Sequence, residues 1–261
     1  MGSVGIRENN SRLKLLRMMN VFACIAMIAV NVLAERLPIN DVTSGQVSDS
    51  YDSLFTPAGI TFAIWFVIYI GLAYFAVWQA IGGRADYAVE KIGISFAVSC
   101  ALNMAWLILW HYDMIYLATA VIFALWLFLI DIKKSTSGEN WAVRSVFSMY
   151  YAWITVATVA SLFIVAGNLF ENFAYGNFAQ VLACIAIVAI GIAAYVRLGH
   201  DSDYAYAITV AWASAGIIIK HLNYSEAGFS GDYMAIIVSA FVSVSIVIAA
   251  IILKNRRSEV I

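Results

Sequence analysis

Three groups of aromatic and amide residues, set in an otherwise apolar chain, have the types and spacing to hold a ligand. Phe62, Trp65 and Tyr69 fall at i, i+3 and i+7, so one helix face carries all three rings. Ser99, Asn103, Trp106 and Trp110 share a second face, and Tyr150, Trp153, Ala157 and Ser161 a third. The small residues at 157 and 161 permit close helix approach. A cavity walled by Trp65 and Trp106, floored by Trp153 and carrying Asn103 as its lone amide suits a flat, apolar ligand with polar edges. Ring faces supply area, and one or two hydrogen bonds fix orientation. The competing reading is that the tryptophans fill a bundle and Asn103 bonds a neighbouring helix.

Other chemistries find little support. No Asp, Glu, Arg or His lies in the centre of an apolar span, where ion- and proton-coupled carriers place their working groups. Lys220 sits about 25 Å along its span, near the outer boundary, where its stem can snorkel to water; this suits an interfacial anchor better than a Schiff base. His111 and His221 at one surface and His200 at the other read as solvated loop histidines, with no metal-ligand spacing. Cys24, Cys100 and Cys184 fall in three different spans and read as packing residues rather than a disulfide framework. No nucleophile triad or phosphate loop is visible, so no catalytic residue is assigned, and no metal or cofactor is required. Asn223-Tyr224-Ser225 forms a glycosylation sequon, read as a chance match.

The elements that carry these residues are membrane helices. The chain of 261 residues is 63% hydrophobic and 12% charged, with two prolines and no linker-like tract, which indicates one polytopic membrane domain. Residues 1–17 form a basic tail. Apolar spans follow at about 18–34, 57–81, 89–110, 114–132, 145–166, 177–196, 203–221 and 232–253, which makes eight helices. The first basic and apolar stretch has some features of a cleavable signal, but its length favours a retained helix. Residues 35–56 are polar yet contain Leu37, Pro38, Ile39, Val47 and Leu54, which predicts a segment folded onto the outer mouth.

Charge placement tests the count. With the N-terminus cytoplasmic, thirteen of fifteen basic residues fall on the inner side, leaving only Arg36 and Lys220 outside. Both termini are therefore expected in the cytoplasm. The net charge of −1, with no basic patch, gives no reason to expect a nucleic-acid partner.

Pro57, Phe62, Trp65 and Tyr69 form Pro-x(4)-Phe-x(2)-Trp-x(3)-Tyr; Leu102, Asn103 and Trp106 form Leu-Asn-x(2)-Trp; Trp153, Ala157 and Thr158 form Trp-x(3)-Ala-Thr. In this order they resemble the signatures of the TspO/MBR family, the tryptophan-rich sensory and translocator proteins, over roughly residues 15–168. The chain has Thr56-Pro57 where that family has two prolines, has Ser161 where it has Asn, and continues past its five helices. The resemblance implies an all-α fold. A five-helix membrane domain at 18–168 would be followed by three additional helices at 169–254 and a short tail at 255–261. It also implies a site formed by Phe62, Trp65, Tyr69, Asn103, Trp106, Trp153, Ala157 and Thr158 beneath the 35–56 loop. A porphyrin (tetrapyrrole) or sterol-like molecule is the implied ligand. Sensing or translocation of that ligand is the leading expectation, against small-solute transport or breakdown of a bound tetrapyrrole. The implied partners are the lipid bilayer and the hydrophobic ligand, and a homodimer is compatible with both.

Overall fold

A computed structural model describes residues 2–37, 39–81, 85–224 and 233–258. Among them there is no strand. The long helices are α1 (Gly2–Arg36), α3 (Ile64–Ala80), α5 (Ser95–His111), α6 (Ile115–Ser135), α7 (Trp141–Leu169), α8 (Asn177–Asp201), α9 (Tyr204–Tyr224) and α10 (Met234–Ser258). Two short helices, α2 (Ser44–Asp49) and α4 (Asp86–Ile92), and 3₁₀ turns at Ile39–Asp41, Gly59–Ala63 and Phe173–Tyr175 complete them. Among the described residues seven spans are long and apolar enough to cross a bilayer, or eight if the bent pair α4–α5, with 58° between its halves, is one span.

Several boundaries differ from the sequence reading, for identifiable reasons. The basic segment expected as a tail is helical and continuous with the first span. Leu13 and Leu16 bury against Ala85 and Val89, and Arg17 pairs with Asp86 of α4, so part of its polar surface has a protein partner. The third span breaks at Gly93, whose φ of 55° is open to glycine and strained for a side chain. The helices beyond it run past the apolar stretches, because charged and polar ends stay helical outside lipid. Asn140, for example, caps α7 by accepting from the amides of Ala142 and Val143.

The packing forms a ring. α1 contacts α3 and α5, α5 contacts α6, α6 contacts α7, and α7 closes back onto α3. At one end of this ring Phe75, Phe96 and Phe147 pack edge-on with centroids 4.7 to 5.9 Å apart. α9 lies against α7 and the 59–63 turn, while α8 and α10 pack on α9 and on each other.

The 35–56 segment is folded over the other end. Thr43 and Gln46 form a capping box that starts α2. Val47, Leu54 and Phe55 are buried and Ile39 half-buried, while Leu37 is exposed and Pro38 lies outside the described residues. Trp110 Nε1 donates to the Ser44 carbonyl (3.2 Å) and Asn40 Nδ2 to the His111 carbonyl (3.1 Å), tying the segment to the end of α5.

Candidate functional site

The 3₁₀ turn at 59–63 feeds directly into α3, and this sets the direction of its aromatic face. Trp65 is the hub. Its ring stacks on Tyr69 (5.3 Å), tilts against Trp106 (5.8 Å), and meets Tyr150 (5.9 Å) and Trp153 (6.4 Å) edge-on. Phe62 sets its ring edge to face with Trp153 (5.6 Å), and Trp106 stacks on Trp110 (6.0 Å). The cluster draws on α3, α5 and α7, the three helices whose sequence signatures pointed to it.

Asn103 is fully buried beside it, and it is not the lone amide that the sequence suggested. Asn31 of α1 donates from Nδ2 both to Asn103 Oδ1 and to the Met27 carbonyl (each 2.8 Å), and it accepts from the Tyr69 hydroxyl. Farther along, Asn20 donates to Gln79 (3.0 Å), again between α1 and α3. Asn31 lies outside the three signatures; the signal that could have found it was an amide in an apolar run. Two donors in the cluster, the Trp106 and Trp153 indole N–H groups, are buried without an acceptor, while the Asn103 amide and the Tyr150 hydroxyl interact with each other.

The space around these groups is divided in two. Between Trp106, Trp153, Phe62 and Ala157 only about 20 Å³ is empty, room for a single water. The open cavity expected there is closed by the aromatic rings themselves. A second concavity of about 420 Å³ lies between α1 and α3 below residues 43–45, lined by Asn31, Glu35, Phe62, Trp65, Phe66 and Tyr69. Of the eight residues singled out in the sequence, Phe62, Trp65 and Tyr69 face this groove, and Phe62, Trp106, Trp153 and Ala157 face the small void. Asn103 sits behind them. Thr158 lines neither space, because its hydroxyl donates to the Ile154 carbonyl of its own helix (2.7 Å).

Two readings of isolated polar residues change. His111 and His221 are buried rather than solvated, hydrogen-bonded to the carbonyls of Leu107 (2.8 Å) and Leu54 (3.0 Å). Lys220 is 4% exposed, so its stem does not snorkel to water. Among the described residues no cluster of His, Cys, Asp and Glu has the form of a metal site. Ser225 of the sequon lies outside the described residues. At the mouth, the Tyr51 hydroxyl hydrogen-bonds Asp113. Burial, with help from the Asp113 carboxylate, holds that phenol well above its ordinary pKa, so it stays a donor at neutral pH.

α9 also shapes the site. Trp212 Nε1 donates to the Thr61 carbonyl (2.9 Å), and Ala58 N–H donates to the Gly216 carbonyl (3.1 Å). A Cβ at Gly216 would lie 2.1 Å from Thr61 Cγ2 and 2.9 Å from Pro57 Cβ. The turn that carries Phe62 is therefore propped by a helix beyond the expected five.

A family model described as TSPO-like protein matches residues 17–253, a range that runs through α8, α9 and α10. No curated protein and no solved structure matches the chain.

Proposed function

The chain belongs to the TSPO-like proteins, and we propose that it is an integral membrane binding protein, a sensor or translocator, for a flat hydrophobic ligand of the tetrapyrrole or sterol-like class. The observation that carries this reading is the set of buried donors without acceptors beside stacked aromatic faces. Buried donors are nearly always satisfied, so two indole N–H groups without acceptors in one cluster suit a ligand that brings its own acceptors. The groove of about 420 Å³ is in the size range of small-molecule sites, whereas the void behind Trp65 is not. Phe62, which lines both, separates the two. A ligand seated in the groove stacks on Trp65 and Tyr69, and it reaches the inner donors when the Phe62 turn gives way.

Protoporphyrin IX, titrated against the purified protein with tryptophan quenching as readout, tests this. Trp65→Ala removes the central stacking surface and should weaken binding by about 1–3 kcal/mol, roughly ten- to a hundredfold. Trp126→Ala is the control, because that indole donates to Thr155 (3.0 Å) and stacks on Tyr151, away from the groove. Equal losses from the two substitutions would remove the groove as the binding site. Trp212 is unsuitable as a control, since it holds the Phe62 turn.

A further inference from the structure

A cavity larger than the groove lies away from the aromatic cluster. It measures about 770 Å³ and lies at the opposite end of the bundle, where the ends of α6 and α8 meet the beginnings of α7 and α9. Its lining includes four basic residues, Lys133, Lys134, Arg144 and Arg197, against two acidic ones, Asp201 and Asp203.

Of the two acidic residues, Asp203 is committed to the fold, while the exposed Asp201 leaves one carboxylate against the three remaining cations. Asp203 is buried; it pairs with Lys133 (2.8 Å), accepts from the Ser148 hydroxyl (2.6 Å), and caps α9 through the Tyr206 amide (3.1 Å). The basic side is not balanced in the same way. The Arg197 guanidinium lies between the rings of Tyr151 and Tyr206, at 4.9 and 4.8 Å, and among the described residues it has no ion pair. Arg144 donates to the Asp201 backbone carbonyl (2.9 Å), a neutral acceptor, which leaves its charge unanswered. Half-buried cations held in place by aromatic faces and a carbonyl form a preorganised anion site, with donors suited to phosphate oxygens. The rest of the lining combines hydroxyl residues such as Ser137, Ser145 and Ser202 with an apolar part that includes Ile130, Met149 and Ile208, and Trp141 at the opening is 80% exposed. Basic pockets between membrane helices, edged by an interfacial tryptophan, suit lipid headgroups.

We infer that this cavity binds the phosphate of an anionic phospholipid, with Arg144, Arg197 and Lys134 on the headgroup and an acyl chain along the apolar wall. The site joins the five-helix ring to α8 and α9, so an occupied cavity ties the two together.

The test uses the full chain in neutral detergent. Phosphatidylglycerol brominated on its chains is titrated against it, with brominated phosphatidylcholine as the uncharged comparison. Quenching specific to the cavity is the difference between the wild-type protein and Trp141→Phe. The anionic lipid should reach half-quenching at a concentration about tenfold lower than the zwitterionic one, and Arg197→Gln should abolish that preference. Arg197→Lys keeps the charge without the planar stack and should retain part of it. Should Arg197→Gln fail to fold, Arg144→Gln and Lys134→Gln, the latter on an exposed side chain, should each reduce the preference. Indistinguishable quenching by the two lipids, or a preference untouched by these substitutions, would overturn the site. Displacement of phosphatidylglycerol by millimolar inorganic phosphate would make the occupant a free anion and overturn the lipid assignment.

Discussion

Asn31 serves three polar groups at once, donating to Asn103 and to the Met27 carbonyl and accepting from Tyr69. Its sequence neighbours Val30 and Val32 are apolar, and Glu35, one turn on, is an acceptor that bonds the Ser44 amide. Asn31→Leu leaves Asn103 Oδ1 and the Tyr69 hydroxyl buried without their partner, and it should cost about 1–3 kcal/mol of stability. Asn103→Leu removes the acceptor of one Asn31 bond and a weak contact with Tyr150, while Asn31 keeps its bond to Met27. It should cost less, about 1 kcal/mol or below. Thermal unfolding of the two variants in detergent checks the order, and a larger loss from Asn103→Leu would make Asn103 the hub instead. The aromatic half of this site was legible from spacing, because i, i+3 and i+7 place Phe62, Trp65 and Tyr69 on one face whatever the tertiary context. The amide half was not. Which buried amide meets which depends on the crossing of α1 with α3 and α5, and no periodicity within one helix encodes that. The burial of Lys220 and His221 escaped for a related reason: it comes from the folded 52–55 segment, with His221 bonded to Leu54.

The bond from Trp212 to Thr61 and the close fit of Gly216 against Pro57 make α9 part of the scaffold of the Phe62 turn. Gly191 offers a comparison within the same set of helices. A Cβ there would lie 2.7 Å from Ser243 Oγ, in the contact of α8 with α10 and away from the aromatic cluster. Both Gly216→Val and Gly191→Val overpack a tight contact and should destabilise by about 1–3 kcal/mol. Only Gly216→Val displaces the turn that carries Phe62, so only it should also weaken porphyrin binding, by about tenfold or more. Equal effects of the two on binding would mean that α9 acts through general stability alone. Apolar run length was enough to read the helices from the sequence, because lipid leaves a spanning backbone few alternatives. Their ends were less legible. The bend at Gly93 and the helical basic segment before Met18 depend on contacts between α1 and α4, such as Leu13 and Leu16 with Val89, and not on hydropathy.

At the scale of the molecule, the number of crossings depends on whether α5, with 17 residues, traverses the bilayer or re-enters. Its two ends answer this. At one end Trp110 and His111 bond the folded outer segment at Ser44 and Asn40. At the other, the Ser95 hydroxyl donates to Asp131 (3.3 Å), two residues before Lys133 on α6. α6 leaves the first end through the turn at Asp113 and reaches the second at Lys133 and Lys134, antiparallel to α5. A helix whose ends match both ends of a 21-residue span crosses as that span does. α4 is then an interfacial extension of the same crossing, held by Asp86 to Arg17 of α1. Eight crossings would put the two termini on one side, and from the density of Lys and Arg around 7–17, 133–144 and 254–257 we propose the cytoplasm for that side. Topology reporters fused after Lys134, after Arg197 and at the C-terminus should therefore all read cytoplasmic, and one inserted after Tyr112 should read external. If α5 were re-entrant, every junction after it would invert relative to the N-terminus. A cytoplasmic signal at Arg12 with an external one at the C-terminus would then exclude the eight-crossing arrangement and place the Lys133–Arg197 cavity on the outer face.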